Sequence, residues 1–315
     1  MNSIAAFFKL IRWPNLVLIV LTQMLFFGFV YASMLQVPLP QNQIILFILL
    51  VSTSIFIAAA GYIINDYFDV QIDAINKPDR IVIGKIIKRR WAIILHWLFS
   101  GIGIMLSIYI SYKTAIWSIT VVNIISVFAL WVYSAIFKKK LLLGNLIIAS
   151  LTAWTILVVY FFVGANMVSL NGWNESNKLF DERKLFKLTL MYAGFAFVMT
   201  LIREVVKDLE DMEGDRKYDC KTMPIVWGVP ATKVFAAVWI LVSAATLFVV
   251  KLYAWLNGMW LSALYFIVTL IIPLFYLLYK FRYAVTTIDY AKLSTIIKII
   301  ILAGILSMLF LKFKI

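Results

Sequence analysis

Nine apolar runs, each close to the roughly 20 helical residues needed to cross a hydrocarbon core of about 30 Å, recur along the whole chain. They lie near 15–35, 42–65, 91–112, 115–137, 141–165, 185–202, 234–250, 258–279 and 293–311. Lipid offers no hydrogen bonds, so a spanning segment must satisfy its own backbone, and runs of this length do so as helices. With 64% hydrophobic and only 14% charged residues, the chain has too little polar surface to be solvated as a globule. The expected fold class is therefore an all-α integral membrane protein of about nine transmembrane helices. The seventh and ninth runs are short, and Pro273 predicts a kink in the eighth. No Gly/Ser linker or change in composition divides the sequence, so 1–315 reads as a single transmembrane domain.

The run after Lys9 and Arg12 is too long for a signal-peptide core and is not closed by a small-residue cleavage site, so it reads as a retained first helix. A net charge of +14 could suggest nucleic acid, but the charges are sorted by side. With nine alternating helices, 20 of the 29 Lys and Arg fall on the side of the N-terminus. The positive-inside rule then places the N-terminus and the loops after helices 2, 4, 6 and 8 in the cytoplasm and the C-terminus outside, in a multi-pass protein of the cell membrane with no nucleic-acid partner. A single cysteine, Cys220, excludes an internal disulfide, and a single histidine, His96, excludes His-rich metal sites. Cys220 reads as a small loop residue and His96 as a packed one.

Eleven of the fifteen acidic residues lie in two short segments: Asp66, Asp69, Asp73 and Asp79, then Glu204, Asp208, Glu210, Asp211, Glu213, Asp215 and Asp219. Asp66, Asp69 and Asp73 map onto Asp208, Asp211 and Asp215 at one constant offset of 142 residues, a weak internal repeat that suggests two pseudo-equivalent halves facing one cavity. The i, i+3, i+7 spacing places each triplet on one face of a helix continuing out of the membrane. Neighbouring carboxylates about 6 Å apart at an effective dielectric of about 20 repel by on the order of 3 kcal/mol, and the negative end of the helix dipole adds to this. A cation must compensate. With Asn65 beside the first triplet, these residues form an all-oxygen donor set suited to Mg²⁺.

Basic residues are interleaved with the acids: Lys77 and Arg80 after the first triplet, Arg203 and Lys207 before the second, and Arg216, Lys217 and Lys221 after it. Carboxylates alone would suggest cation binding; together with Arg and Lys they suggest a diphosphate bridged through metal and held by basic side chains. A solvated, salt-bridged loop is the ordinary reading of one such segment, but it does not account for two at matching spacing. A secondary cation transporter remains the alternative from another class, although its carboxylates would sit near the bilayer midplane.

The first segment reads NDYFDVQID followed by AINKPDR, and the second REVVKDLEDMEGDRKYDCKTMP. The first resembles the NDxxDxxxD signature of the UbiA superfamily of intramembrane prenyltransferases. In the second, Asp211 and Asp215 fall on that family's DxxxD element, with Asp208 one turn earlier. IRWPN at 11–15 and YSAIFKKKLLLGN at 133–145 resemble two further family elements. The resemblance implies a UbiA-like bundle around a central cavity with a cytoplasmic cap. It also implies Mg²⁺-dependent transfer of an isoprenyl group from a prenyl diphosphate to a lipid or aromatic acceptor.

In that reading Asn65, Asp66, Asp69, Asp73, Asp208, Asp211 and Asp215 hold metal, and the catalytic assignment falls on Asp69, Asp73, Asp211 and Asp215. Lys77, Arg80, Lys138, Lys139, Arg203 and Lys207 are expected on the diphosphate, and Arg12, Asn15, Tyr133 and Asn145 in the substrate pocket. The second segment looks most like the branch that transfers geranylgeranyl from its diphosphate to geranylgeranylglyceryl phosphate. An aromatic quinone precursor, 4-hydroxybenzoate or dihydroxynaphthoate, is the alternative acceptor.

Overall fold

The apolar runs fold as helices, and several outlast the lipid-crossing length because polar residues continue the turn beyond the apolar stretch. The structure is a computed structural model that describes residues 3–35, 38–171 and 181–314, with the backbone alone described for Arg80, 165–171 and 311–314. Nine spans are present among the described residues: Trp13–Met34, Gln41–Asn76, Arg89–Thr114, Trp117–Ala135, Leu143–Gly164, Glu182–Glu210, Gly228–Leu256, Trp260–Tyr283 and Thr287–Phe310. A short helix, Ser3–Leu10, precedes them. Among the described residues the only β-type pairing is one isolated bridge, Ile83 with Ile87.

The second span has 36 residues, about 54 Å at 1.5 Å per residue, so it runs well past the hydrocarbon. The first acidic segment is thus part of the helix itself, not a tail after it. Pro78 stops it: the residue before a proline is pushed out of the α region, and Lys77 sits at φ −147, ψ 59. The seventh and ninth spans are longer than their apolar runs. The ninth is started by a capping box, in which Thr286 Oγ1 accepts from the Asp289 N–H and Asp289 Oδ2 from the Thr286 N–H. In the eighth, Pro273 lacks the N–H that the preceding turn needs, and the turn Ile267–Ile271 just before it adopts a π register.

Close contacts divide the chain into two units, Met1–Phe137 with Trp154–Leu190, and Lys138–Ala153 with Met191–Ile315. In the first, the second span packs on the third and fourth. Gly103 allows the second and third to approach, since a Cβ there would lie 2.8 Å from Ile57 Cγ1. His96 is buried with Nδ1 3.0 Å from the Ala60 carbonyl oxygen, a packed residue as expected. Asn123 donates to Ser107 Oγ (3.0 Å) and accepts from Trp154 Nε1 (3.0 Å), so polar groups join helices that lipid alone would not drive together. The loop after the second span is anchored here too, with Val82 and Ile83 buried among Leu10, Ile11, Ala59 and Ile63.

In the second unit, the core is built from Met199, Ile202, Val206 and Leu209 with Met223, Leu270, Leu274, Leu293 and Ile297. Cys220 is buried in the loop that follows the short helix Met212–Lys217. Glu175, which falls between the fifth and sixth apolar runs in sequence, lies outside the described residues.

Candidate functional site

In the first unit, Asn65 and Asp69 are one helical turn apart, so their side chains meet: Asn65 Nδ2 donates to Asp69 Oδ2 at 2.7 Å, and both residues are buried. Asp66 has a different partner. Arg12 Nη2 donates to Asp66 Oδ1 at 2.6 Å, and the guanidinium lies 5.2 Å from the centre of the Tyr62 ring. Tyr62 and Asp66 are again four residues apart, so ring and carboxylate hold one cation together. Burial works to lower the Arg12 pKa, but Asp66, with help from Tyr62 and Asp69, raises it above its ordinary value, and Arg12 stays charged.

Arg12 has a left-handed backbone, φ 50 and ψ 52, which separates the helix Ser3–Leu10 from the first span. A residue with a Cβ adopts it at a cost of about 1–2 kcal/mol. Asn15 is half-buried in the next turn, its N–H donating to the Arg12 carbonyl at 2.8 Å. Asp73 and Lys77 are half-buried at the end of the second span, where the Lys77 N–H donates to the Asp73 carbonyl at 2.8 Å. Tyr133 is buried near the end of the fourth span. The side chain of Arg80 lies outside the described residues.

In the second unit, Glu204 is the centre of a charged group that the motif reading did not single out. It is 8% exposed; Arg203 Nη1 donates to its Oε1 at 3.0 Å, and Lys207 Nζ donates to both of its oxygens at 2.9 and 3.2 Å. The i, i+3 spacing of Glu204 and Lys207 was the available signal. Arg203 Nε is buried and has no hydrogen-bond partner among the described residues. One turn on, Asn145 Nδ2 donates to Asp208 Oδ2 at 2.8 Å. Each unit thus holds one aspartate of its triplet by an asparagine amide.

The second triplet departs from the expected single helix face. The sixth span ends at Glu210, Asp211 sits at φ −96, ψ 7, and Asp215 is buried in the separate short helix Met212–Lys217. Continuing the helix would add Asp211, Glu213 and Asp215 to its negative end, with Gly214 among them, so the break relieves charge where propensity is weak. The turn is not lost, since the Asp211 N–H still reaches the Lys207 carbonyl (2.8 Å) and the Asp215 N–H the Asp211 carbonyl (3.1 Å). Lys138 is half-buried and Lys139 exposed on the turn Phe137–Lys139. The Lys139 carbonyl accepts from the Lys221 N–H at 2.8 Å, tying that turn to the loop beyond Asp215.

Among the described residues, no group of three or more His, Cys, Asp or Glu is placed to hold a metal ion by itself. Mg²⁺ binds through one or two carboxylates and takes its remaining oxygens from water and substrate phosphates. Oxygen donors held by Asn65 and Asn145, with Arg and Lys beside them, suit a metal that arrives with an anionic substrate.

Comparison with known proteins gives the same assignment. Residues 14–302 match the UbiA prenyltransferase family. A relative described as digeranylgeranylglyceryl phosphate synthase, from Sulfurisphaera tokodaii, is 32% identical over 250 residues, 78% of each chain. Another of that description, from Methanosphaera stadtmanae, is 32% identical over 192 residues, so the chain spans about three fifths (61%) of that relative's length. Among solved structures, one described as that of digeranylgeranylglyceryl phosphate synthase in membranes superposes with a TM-score of 0.60 at 23% identity, over 98% of this chain and 99% of that one. A UbiA homologue from Archaeoglobus fulgidus bound to DMAPP and Mg²⁺ superposes with a TM-score of 0.56 at 14% identity, over 96% and 98% of the two chains. At those identities the structures speak for the fold. Nine spans, two acidic motifs in order and a family match over nearly the whole chain agree: this multi-pass membrane protein belongs to the UbiA prenyltransferase family.

Proposed function

We propose that the chain transfers a geranylgeranyl group from geranylgeranyl diphosphate to geranylgeranylglyceryl phosphate. The observation that carries this reading is the repeated pairing of an asparagine amide with a motif aspartate, Asn65 with Asp69 and Asn145 with Asp208, each with basic residues nearby in sequence. Relatives at 32% identity described as digeranylgeranylglyceryl phosphate synthase support the acceptor. Mg²⁺, when bound, would neutralise the diphosphate as the allylic C–O bond breaks.

Asn65, Asp66, Asp69, Asp73, Asp208, Asp211 and Asp215 are the residues that would hold it. Lys77, Arg80, Lys138, Lys139, Arg203 and Lys207 would meet the diphosphate oxygens directly. Glu204 would keep Arg203 and Lys207 extended before substrate arrives, so that little reorganisation accompanies the reaction. Arg12 would orient Asp66, while Asn15, Tyr133 and Asn145 would border the substrate, the Tyr133 ring facing developing positive charge. Apolar helix faces would keep water from the allylic cation. The N-terminus and both acidic segments would lie in the cytoplasm and the C-terminus outside, following the basic residues.

The test incubates the purified protein with Mg²⁺, radiolabelled geranylgeranyl diphosphate and, separately, geranylgeranylglyceryl phosphate, 4-hydroxybenzoate and dihydroxynaphthoate. A labelled lipid product with the glyceryl phosphate alone supports the reading. Product with an aromatic acceptor alone would replace the acceptor, and ion flux in liposomes with no product would replace the class.

A further inference from the structure

We propose that Lys85, Lys88, Arg89 and Arg90, at the start of the third span, form a docking surface for the headgroups of anionic phospholipids. Four positive charges fall within six residues, and all four residues are exposed. No acid in the following sequence can answer them, since none occurs between Asp79 and Glu175. Among the described residues none of the four is in an ion pair. Lys85 Nζ donates to the Pro78 carbonyl at 2.9 Å, and Arg89 lies 4.9 Å from the centre of the Tyr67 ring. Charge complementarity therefore calls for an external anion.

The surface is built rather than loose. Val82 and Ile83 are buried in the first unit's core, and Gly84 turns the chain at φ +88 with its N–H donating to the Ile87 carbonyl at 2.8 Å. Lys9 Nζ holds the same loop through the Asp79 carbonyl at 2.9 Å. Ile86 and Trp91, 38% and 52% exposed, flank the charges with apolar surface. Basic side chains bracketed by an aromatic and an aliphatic group, where a helix enters the membrane, match a phosphate layer lying over acyl chains. None of the four residues is assigned to prenyl transfer, and the proposal does not depend on that reaction.

Protein freed of lipid in neutral detergent is titrated with phosphatidylglycerol or phosphatidylcholine, and bound lipid is counted by native mass spectrometry. Phosphatidylglycerol is expected to bind about tenfold more tightly at low salt, with the difference shrinking as salt rises. Replacing all four basic residues by Gln is expected to bring the two lipids within about twofold. Arg183→Gln/Lys184→Gln/Lys187→Gln, three exposed basic residues on the sixth span, should leave the preference intact. The pairs Lys85→Gln/Lys88→Gln and Arg89→Gln/Arg90→Gln should each fall between, and they decide the matter if the fourfold variant does not fold. Equal binding of both lipids to the wild type, or an unchanged preference in the variants, would overturn the proposal. So would displacement of phosphatidylglycerol by free diphosphate together with a raised KM for prenyl diphosphate in the pair variants, which would assign the surface to substrate.

Discussion

Glu204 is a buried carboxylate placed between two basic side chains, Arg203 and Lys207. Two cations one turn apart would repel, and the buried Glu204 between them holds both in place. Glu204→Gln keeps the volume but removes the charge. It is expected to raise KM for prenyl diphosphate about tenfold with a smaller change in kcat, as measured by initial rates; an unchanged KM would make the trio purely structural. Arg12 offers a second test at this scale. Arg12→Gln breaks the pair with Asp66, whereas Arg12→Gly also removes the left-handed backbone cost, so the Gly variant should be the more stable by about 1 kcal/mol in thermal unfolding in detergent. Arg12 was legible in sequence as part of an opening motif, but its partner was not, because 54 residues separate it from Asp66.

At the scale of elements, apolar length placed all nine spans, while their ends depended on chemistry that hydropathy ignores. The second span outlasted its apolar run because NDYFDVQID is as helical as what precedes it, and only Pro78 ends it. The break at Asp211 was hidden for the opposite reason: i, i+3, i+7 spacing suits an unbroken helix, and accumulated negative charge interrupts it. Close packing makes a further prediction. A Cβ at Gly304 would run into the Phe195 ring at Cε1, so Gly304→Ala should destabilise by about 1–3 kcal/mol, read as a lowered Tm. At Gly61 the obstruction is the methyl end of Leu130 at 2.9 Å, which can rotate away, and Gly61→Ala should cost less. Equal shifts for the two would mean that both neighbours yield equally.

At the scale of the whole molecule, the two acidic segments fall in different units, the first triplet in one and the second in the other. The triplets themselves were legible in sequence by their matching spacing; the asparagine that holds Asp208 was less visible, since Asn145 lies 63 residues away in a motif of its own. The proposed orientation rests on the distribution of basic residues. A cysteine introduced at exposed Lys139 should react with an impermeant thiol reagent only from the cytoplasmic side, with Cys220 replaced by Ser, and labelling from outside would invert the topology. The proposed function requires both Asp69 and Asp211 for Mg²⁺-dependent transfer. The most direct measurement is the rate of diphosphate release from geranylgeranyl diphosphate in the presence of geranylgeranylglyceryl phosphate, for the wild type and for Asp69→Ala and Asp211→Ala separately, with Mg²⁺ or with chelator. The expected result is a loss of at least about a hundredfold in either variant, and the same loss on chelation. Full metal-dependent turnover in either single variant would contradict it.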